Sequence, residues 1–261
     1  MIAETPYSIE VKDLDIGYKK PRLKLLLENL NFGLKSGNLI SVIGGNGVGK
    51  TTLLRTLAKL QTPLEGEVYI NNKPLSSLTN TALAKEVSLV LTNPPASKSL
   101  SVYEFIALGR YPHTNWLGRL SDIDLQKVAK AIQVTEVEGL LEYKCYQLSD
   151  GQYQRIAIAR SIAQDTPIII LDEPTTHLDL YHRAYVLKLL QNLAQKHNKT
   201  ILFSTHEIEL ALQLSDQVLL LQPKQVKLDT PNKIIESNLL NNLFPEDTIY
   251  FDPATKQFKA R

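Results

Sequence analysis

The chain has 261 residues, 43% hydrophobic and 21% charged, enough apolar material for one full core or two lobes and too much for disorder. Its 29 Lys and Arg against 27 Asp and Glu leave a formal charge of +2, too even for a protein drawn to polyanions by net charge, so no nucleic-acid partner is expected. The single cysteine, Cys145, excludes an intrachain disulfide and a multi-cysteine metal site and fits a reducing compartment. Residues 1–10 lack the basic and apolar regions of a signal peptide, and no apolar run approaches a membrane span. The chain is therefore expected to be soluble and to reach a membrane only through a partner.

Residues 7–11 and 25–34 read as strands of an antiparallel sheet, and Leu39-Ile40-Ser41-Val42-Ile43 is a short apolar run bounded by turns, as in a buried strand. Four of the twelve glycines, Gly44, Gly45, Gly47 and Gly49, follow at once. Leu53, Leu54, Leu57, Ala58 and Leu60 then recur at helical spacing over 51–60, and 66–72 predicts a strand running into a turn. From about 81 to 164 the pattern is mostly helical. Ser121 and Asp124 open a capped helix whose apolar face is Leu125, Val128, Ala129 and Ile132. Strand signals return at 167–171, 200–204 and 217–221, separated by helical stretches at 181–196 and 207–214, an alternation that implies a parallel sheet. Residues 231–243 predict a helix, and 248–251 pairs with 257–259 across a turn at 252–255.

Gly44-Gly45-Asn46-Gly47-Val48-Gly49-Lys50-Thr51 satisfies the phosphate-loop pattern at every specified position and lies between an apolar strand and a helix, where the mechanism needs it. Glycines let backbone NH groups turn toward a β-phosphate, and the helix N-terminus adds its dipole. Lys50 reaches the β- and γ-phosphates, and the Thr51 hydroxyl can ligate Mg2+; Thr52 belongs to the same site. Ile168-Ile169-Ile170-Leu171-Asp172-Glu173 is an apolar strand ending in two acids. Asp172 is placed to hold Mg2+, and Glu173 to polarise the water attacking a γ-phosphate. Ser149 and Gln152 form a capping box that opens a helix about twenty residues before Asp172.

Leu148-Ser149-Asp150-Gly151-Gln152, continued by Gln154, Arg155, Ala159 and Arg160, resembles the signature motif of ATP-binding cassette proteins, and the resemblance runs over nearly the whole chain. It implies further roles. Tyr18 would stack on adenine, Leu178-Asp179 would be the D-loop that communicates across a dimer, and His206 the switch histidine that contacts the γ-phosphate. Ser149, Gly151, Gln152 and Asp179 would meet the nucleotide of a second copy. Two positions depart from the family pattern. Thr92, directly after the strand expected at 87–91, stands where the Q-loop glutamine is expected, with only indirect reach to the metal, and Asp150 replaces a signature glycine, adding negative charge where a γ-phosphate docks. Residues 101–112, followed by Trp116-Leu117-Gly118-Arg119, are similar to the helical lobe of importers of iron-siderophore, haem and cobalamin chelates. Pro174-Thr175-Thr176-His177-Leu178-Asp179 is also common in that group.

The expected fold is α/β, a P-loop NTPase core with a parallel sheet, an N-terminal antiparallel β portion and an inserted helical lobe. Residues 1–86 and 165–261 form the core with a C-terminal appendage, and 87–164 the lobe. The expected activity is ATP hydrolysis with Mg2+, with Glu173, His206 and Lys50 catalytic and Thr51, Asp172 and Thr92 at the metal. The resemblance implies a head-to-tail homodimer on the cytoplasmic face of the cell membrane, bound to a permease dimer and served by a periplasmic or lipoprotein substrate-binding protein. An exporter subunit and a soluble non-transport cassette ATPase are the alternatives. Residues 222–261 match no motif, and their default reading is structural.

Overall fold

The computed structural model describes residues 7–20, 22–91, 99–176, 178–223, 225–244 and 247–261. In chain order the elements are β1 (Tyr7–Tyr18), β2 (Lys24–Lys35), β3 (Leu39–Gly44), α1 (Lys50–Leu57), β4 (Glu65–Ile70), β5 (Lys73–Pro74), α2 (Asn80–Glu86), β6 (Val87–Val90), α3 (Val102–Ala107), α4 (Asp122–Thr135) and α5 (Asp150–Gln164). There follow β7 (Ile168–Leu171), α6 (Leu180–His197), β8 (Thr200–Ser204), α7 (Ile208–Leu214), β9 (Gln217–Gln222), β10 (Gln225–Asp229), α8 (Pro231–Glu236), β11 (Ile249–Asp252) and β12 (Gln257–Ala260).

Two sheets carry the core. An antiparallel sheet runs β2-β1-β4-β5, and a six-stranded sheet runs β10-β9-β3-β8-β7-β6. In the second sheet β9, β3, β8, β7 and β6 are parallel, and only the edge strand β10 is antiparallel. The central strands β3, β7 and β8 are buried along their whole length because both their faces are covered. Successive residues serve different cores, as the period of two requires. Ile40, Val42, Ile168, Ile170 and Leu202 pack with β1, β2 and α1, whereas Leu39, Ile43, Ile169, Leu171, Ile201 and Phe203 pack with the helices on the other side.

This topology places the site. Because β3, β8 and β7 are adjacent and parallel, their C-terminal ends lie together at one edge, where the backbone leaves the sheet and side chains can converge on a ligand. The loop after β3 is the glycine loop, the residues after β7 are Asp172 and Glu173, and β8, between them, delivers Ser204, Thr205 and His206.

One expectation holds and one is corrected. Val87–Val90, within the strand expected at 87–91, pairs in register with Ile168–Leu171 as the last strand of the parallel sheet. Val87, Leu89 and Val90 supply the aliphatic side chains that such a strand buries well. The helix expected over 231–243 is interrupted: α8 ends at Glu236, Asn238 takes a left-handed φ of 57°, and Leu239–Leu243 forms a separate 3-10 segment. The strand β10 was not anticipated. The paired β11 and β12 match the expected C-terminal hairpin.

The lobe is organised around one buried cation. Arg110 donates from Nε to Asp124 Oδ1 (2.8 Å) and from Nη1 to the carbonyls of Ala163 (2.8 Å) and Gln164 (3.2 Å), so the segment after α3 is tied to the start of α4 and the end of α5. Asp124 also accepts from the backbone NH and hydroxyl of Ser121, completing the cap anticipated at this helix. No helix among the described residues is long and apolar enough to cross a membrane.

Candidate functional site

The glycine loop leads into α1, whose N-cap, Gly49, has φ 119°, a conformation a side chain resists; Gly47 is likewise left-handed at φ 74°. Lys50 is buried and folds back over the loop, donating from Nζ to the carbonyls of Gly44 (2.8 Å) and Gly45 (3.3 Å). Burial pushes its ammonium below the ordinary lysine value, against the opposing pull of Glu173 and Asp172.

Asp172 lies directly past β7. Its Oδ1 accepts from the Thr51 hydroxyl (3.0 Å) and the Ser204 hydroxyl (2.7 Å), and Ser204 Oγ in turn accepts from the Glu173 backbone NH (2.9 Å). Glu173 adopts a left-handed φ of 51°. Its two carboxylate oxygens are engaged separately, Oε1 with His206 Nε2 (2.7 Å) and Oε2 with the Thr176 hydroxyl (3.1 Å). Tyr18, at the end of β1, is 43% exposed, and its hydroxyl shares a 3.0 Å hydrogen bond with Thr52 Oγ1 on α1. A cleft of about 370 Å³ opens among these groups, lined by Tyr18, Asn46, Gly47, Gly49, Lys50, Thr51, Thr52, Glu173 and His206, together with Lys24 and Leu26.

The remaining expected residues sit elsewhere. Ser149 caps α5 by accepting from Gln152 NH, while Gln152 Oε1 accepts from Ser149 NH (3.0 Å). Asp179 caps α6, accepting from His182 NH (2.8 Å), which with the His182 side chain holds its carboxyl below the ordinary range. Ser149, Asp150, Gly151, Gln152, Leu178 and Asp179 line a second cleft of about 580 Å³ that shares no residue with the first.

The family model for ABC transporters matches residues 27–176, more than half of the chain. The chain belongs to the ATP-binding cassette family. A petrobactin import ATP-binding protein, FpuD of Bacillus anthracis, is 34% identical over 91% of this chain and 86% of its own length. A solved chain from a transporter assigned to the metal-chelate type, in an inward-facing conformation, superposes with a TM-score of 0.79 at 31% identity, covering 91% of this chain and 89% of that one. A dimeric cassette solved in a post-hydrolysis state with ADP and Pi gives a TM-score of 0.74 at 29% identity, over 85% of this chain and 98% of that one. The protein is thus an ABC ATPase, with the P-loop α/β fold of those cassettes.

Within the cassette, Thr92 lies outside the described residues. Asp150 occupies the first helical position of α5 and is exposed to the second cleft. Sequence reasoning missed the part played by Ser204, which joins Asp172 to the Glu173 backbone. The signal was available in the strand order, since the last residue of β8 must end level with Asp172. Lys24 and Leu26, at the start of β2, also went unnoticed as cleft-lining residues.

Proposed function

We propose that this cassette is the ATP-hydrolysing subunit of an importer of iron-siderophore, haem or cobalamin-type chelates, working as a head-to-tail homodimer under a membrane permease dimer. The observation that carries the enzymatic part is the convergence of Lys50, Thr51, Glu173 and His206 on one cleft, with Asp172 hydrogen-bonded to Thr51. The division of the expected nucleotide contacts between two clefts supports a second copy. ATP would be sandwiched between the glycine loop, Tyr18 and Thr52 of one chain and Ser149, Gly151, Gln152 and Asp179 of the other. Chelate import is supported by relatives such as the petrobactin import protein and by residues 101–119. The permease places the cassette at the cytoplasmic face of the membrane, where a periplasmic or lipoprotein binding protein would act on the far side.

The side chains divide the work. Lys50 exchanges the Gly44 and Gly45 carbonyls for the β- and γ-phosphates, and the loop NH groups receive the β-phosphate. His206 leaves Glu173 Oε1 for the γ-phosphate, and that freed oxygen accepts the proton of the attacking water as the water oxygen bonds to Pγ and ADP departs. Thr51 Oγ1 and Asp172 Oδ1, 3.0 Å apart, suit Mg2+, which takes few protein oxygens and completes its shell with phosphate and water. When bound, Mg2+ neutralises charge on the phosphates.

The signature acid gives a first expected outcome. Asp150→Gly removes a negative charge beside the docking γ-phosphate and should tighten ATP-dependent dimerisation by about fivefold at low ionic strength, the gain shrinking as salt screens the repulsion. Sedimentation of the two proteins with ATP, across a salt series, checks it. An unchanged dimer constant would mean that Asp150 faces no phosphate.

Coupling would run through the lobe. Trp116 is 90% exposed and Tyr111 74%, beside a depression of about 410 Å³ bordered by Asn80, Thr81 and Ala84 of α2. Aromatic rings so exposed mark a surface that a partner covers. The test is to isolate the tagged cassette from gently solubilised membranes and identify what accompanies it. A polytopic permease is expected with the parent protein and is expected to be lost in the Tyr111→Ala/Trp116→Ala variant, which should still bind ATP. Recovery of ribosomal or DNA-repair partners without a permease would overturn the transport reading.

A further inference from the structure

The two clefts share no lining residue, yet one guanidinium connects the segments behind them. Arg183 stands one turn into α6, where its Nε donates to the Leu178 carbonyl (2.7 Å) and its Nη1 pairs with Glu207 Oε1 (2.6 Å). Leu178 is buried against the start of the signature helix so closely that a Cβ on Gly151 would lie 2.9 Å from its Cδ2. Glu207 is the residue after His206, and its backbone NH is held by Thr205 Oγ1 (2.9 Å). His206 itself reaches Glu173. A continuous chain of polar contacts therefore runs from Leu178 through Arg183 and Glu207 to the backbone that carries His206.

The pair is about one-third exposed, at 31% and 34%, so it adds little to stability. Its geometry is what distinguishes it. A planar guanidinium can hold a carbonyl on one edge and a carboxylate on another at the same time, whereas an ammonium on a flexible stem cannot fix both directions. We infer that Arg183 is a positioning residue that makes the setting of His206 in its own nucleotide cleft depend on the engagement of Leu178 and Asp179 with the second copy. This inference rests on the dimer proposed above. Through Arg183, closure at the signature side of a chain is transmitted to the hydrolytic side of the same chain, so the two nucleotide sites fire together.

The test compares the full-length parent with Arg183→Gln, Arg183→Lys, Glu207→Gln and the Arg183→Gln/Glu207→Gln double variant, measuring ATP hydrolysis against ATP concentration with thermal melting as the fold control. The expected result for Arg183→Gln is a fall in kcat of about five- to tenfold, a KM within about twofold of the parent and a Hill coefficient falling toward one. Arg183→Lys should not rescue it. The double variant should be no slower than Arg183→Gln alone, because both changes cut one connection. If Arg183→Gln proves unstable, Glu207→Gln carries the same expectation while leaving the Leu178 contact in place. Effects that multiply in the double variant, or a loss confined to KM, would overturn the role. An ATP-bound dimer of Glu173→Gln, together with unchanged kcat and Hill coefficient in Arg183→Gln, would overturn this inference alone. Failure of Glu173→Gln to dimerise with ATP would overturn the dimer reading and this inference with it.

Discussion

Glu173→Gln is expected to lower kcat for ATP hydrolysis by roughly 10²- to 10⁴-fold, the usual contribution of a positioned general base. ATP affinity should remain within a few-fold of the parent. The amide preserves the size of the side chain and can still accept from Thr176, and Lys50 keeps its hydrogen bonds to the Gly44 and Gly45 carbonyls. What it loses is the oxygen proposed to take the proton from water once His206 has moved. Because the chemical step is blocked while the γ-phosphate is retained, the variant should accumulate as an ATP-bound dimer, visible as a doubled mass on size exclusion with ATP and absent with ADP. Steady-state hydrolysis and chromatography on the same preparation decide the matter. A variant that hydrolyses ATP at the parental rate would show that another group is the base.

Arg110→Ala is expected to destabilise the fold by about 3–5 kcal/mol, the cost of leaving a buried charge without its partner. Both Arg110 and Asp124 are almost fully buried, and the cation also satisfies two carbonyls at the end of α5. Burial pushes the Asp124 carboxyl up, but the Ser121 and Arg110 hydrogen bonds outweigh it and hold the group at about 2. A folded-state value below the ordinary one stabilises the protein above about pH 4, and that contribution is lost as pH falls toward 2. Urea unfolding at neutral pH and at a series of acidic values should therefore show a gap between parent and variant that narrows with acidification. A gap below 1 kcal/mol at neutral pH, or one indifferent to pH, would show that the pair is not what holds the lobe together.

The residues proposed to hold phosphate and metal were legible because that chemistry restricts them to a fixed local spacing: the glycine loop from Gly44 to Thr51, and the two acids closing the apolar strand β7. Helix caps at Ser121 and Ser149 were legible for the same reason, since each is completed within four residues. Contacts made across the sheet were not. Ser204 and Asp172 are 32 residues apart, and Arg183 and Glu207 lie on different elements. No periodicity in either segment announces such a meeting, which follows only from the order in which parallel strands are laid side by side. Short elements suffered most. β10, half-exposed along an edge, shows little alternation for a pattern to find. Asn238 broke the helix expected over 231–243 because an asparagine tolerates the left-handed conformation that ends a helical turn.

The left-handed backbone at Glu173 bears on how this protein responds to selection. A side chain held at φ 51° costs about 1 kcal/mol that glycine would avoid, so the backbone at this position sits below its own stability optimum. A library screened for heat resistance alone would weigh that backbone cost against the His206 and Thr176 hydrogen bonds of the carboxylate. On the role proposed above for Glu173, a screen that also demands turnover must keep the glutamate and find its robustness elsewhere. Residue 173 thus marks a place where durability and activity pull the sequence in opposite directions, with the backbone setting the terms of the conflict.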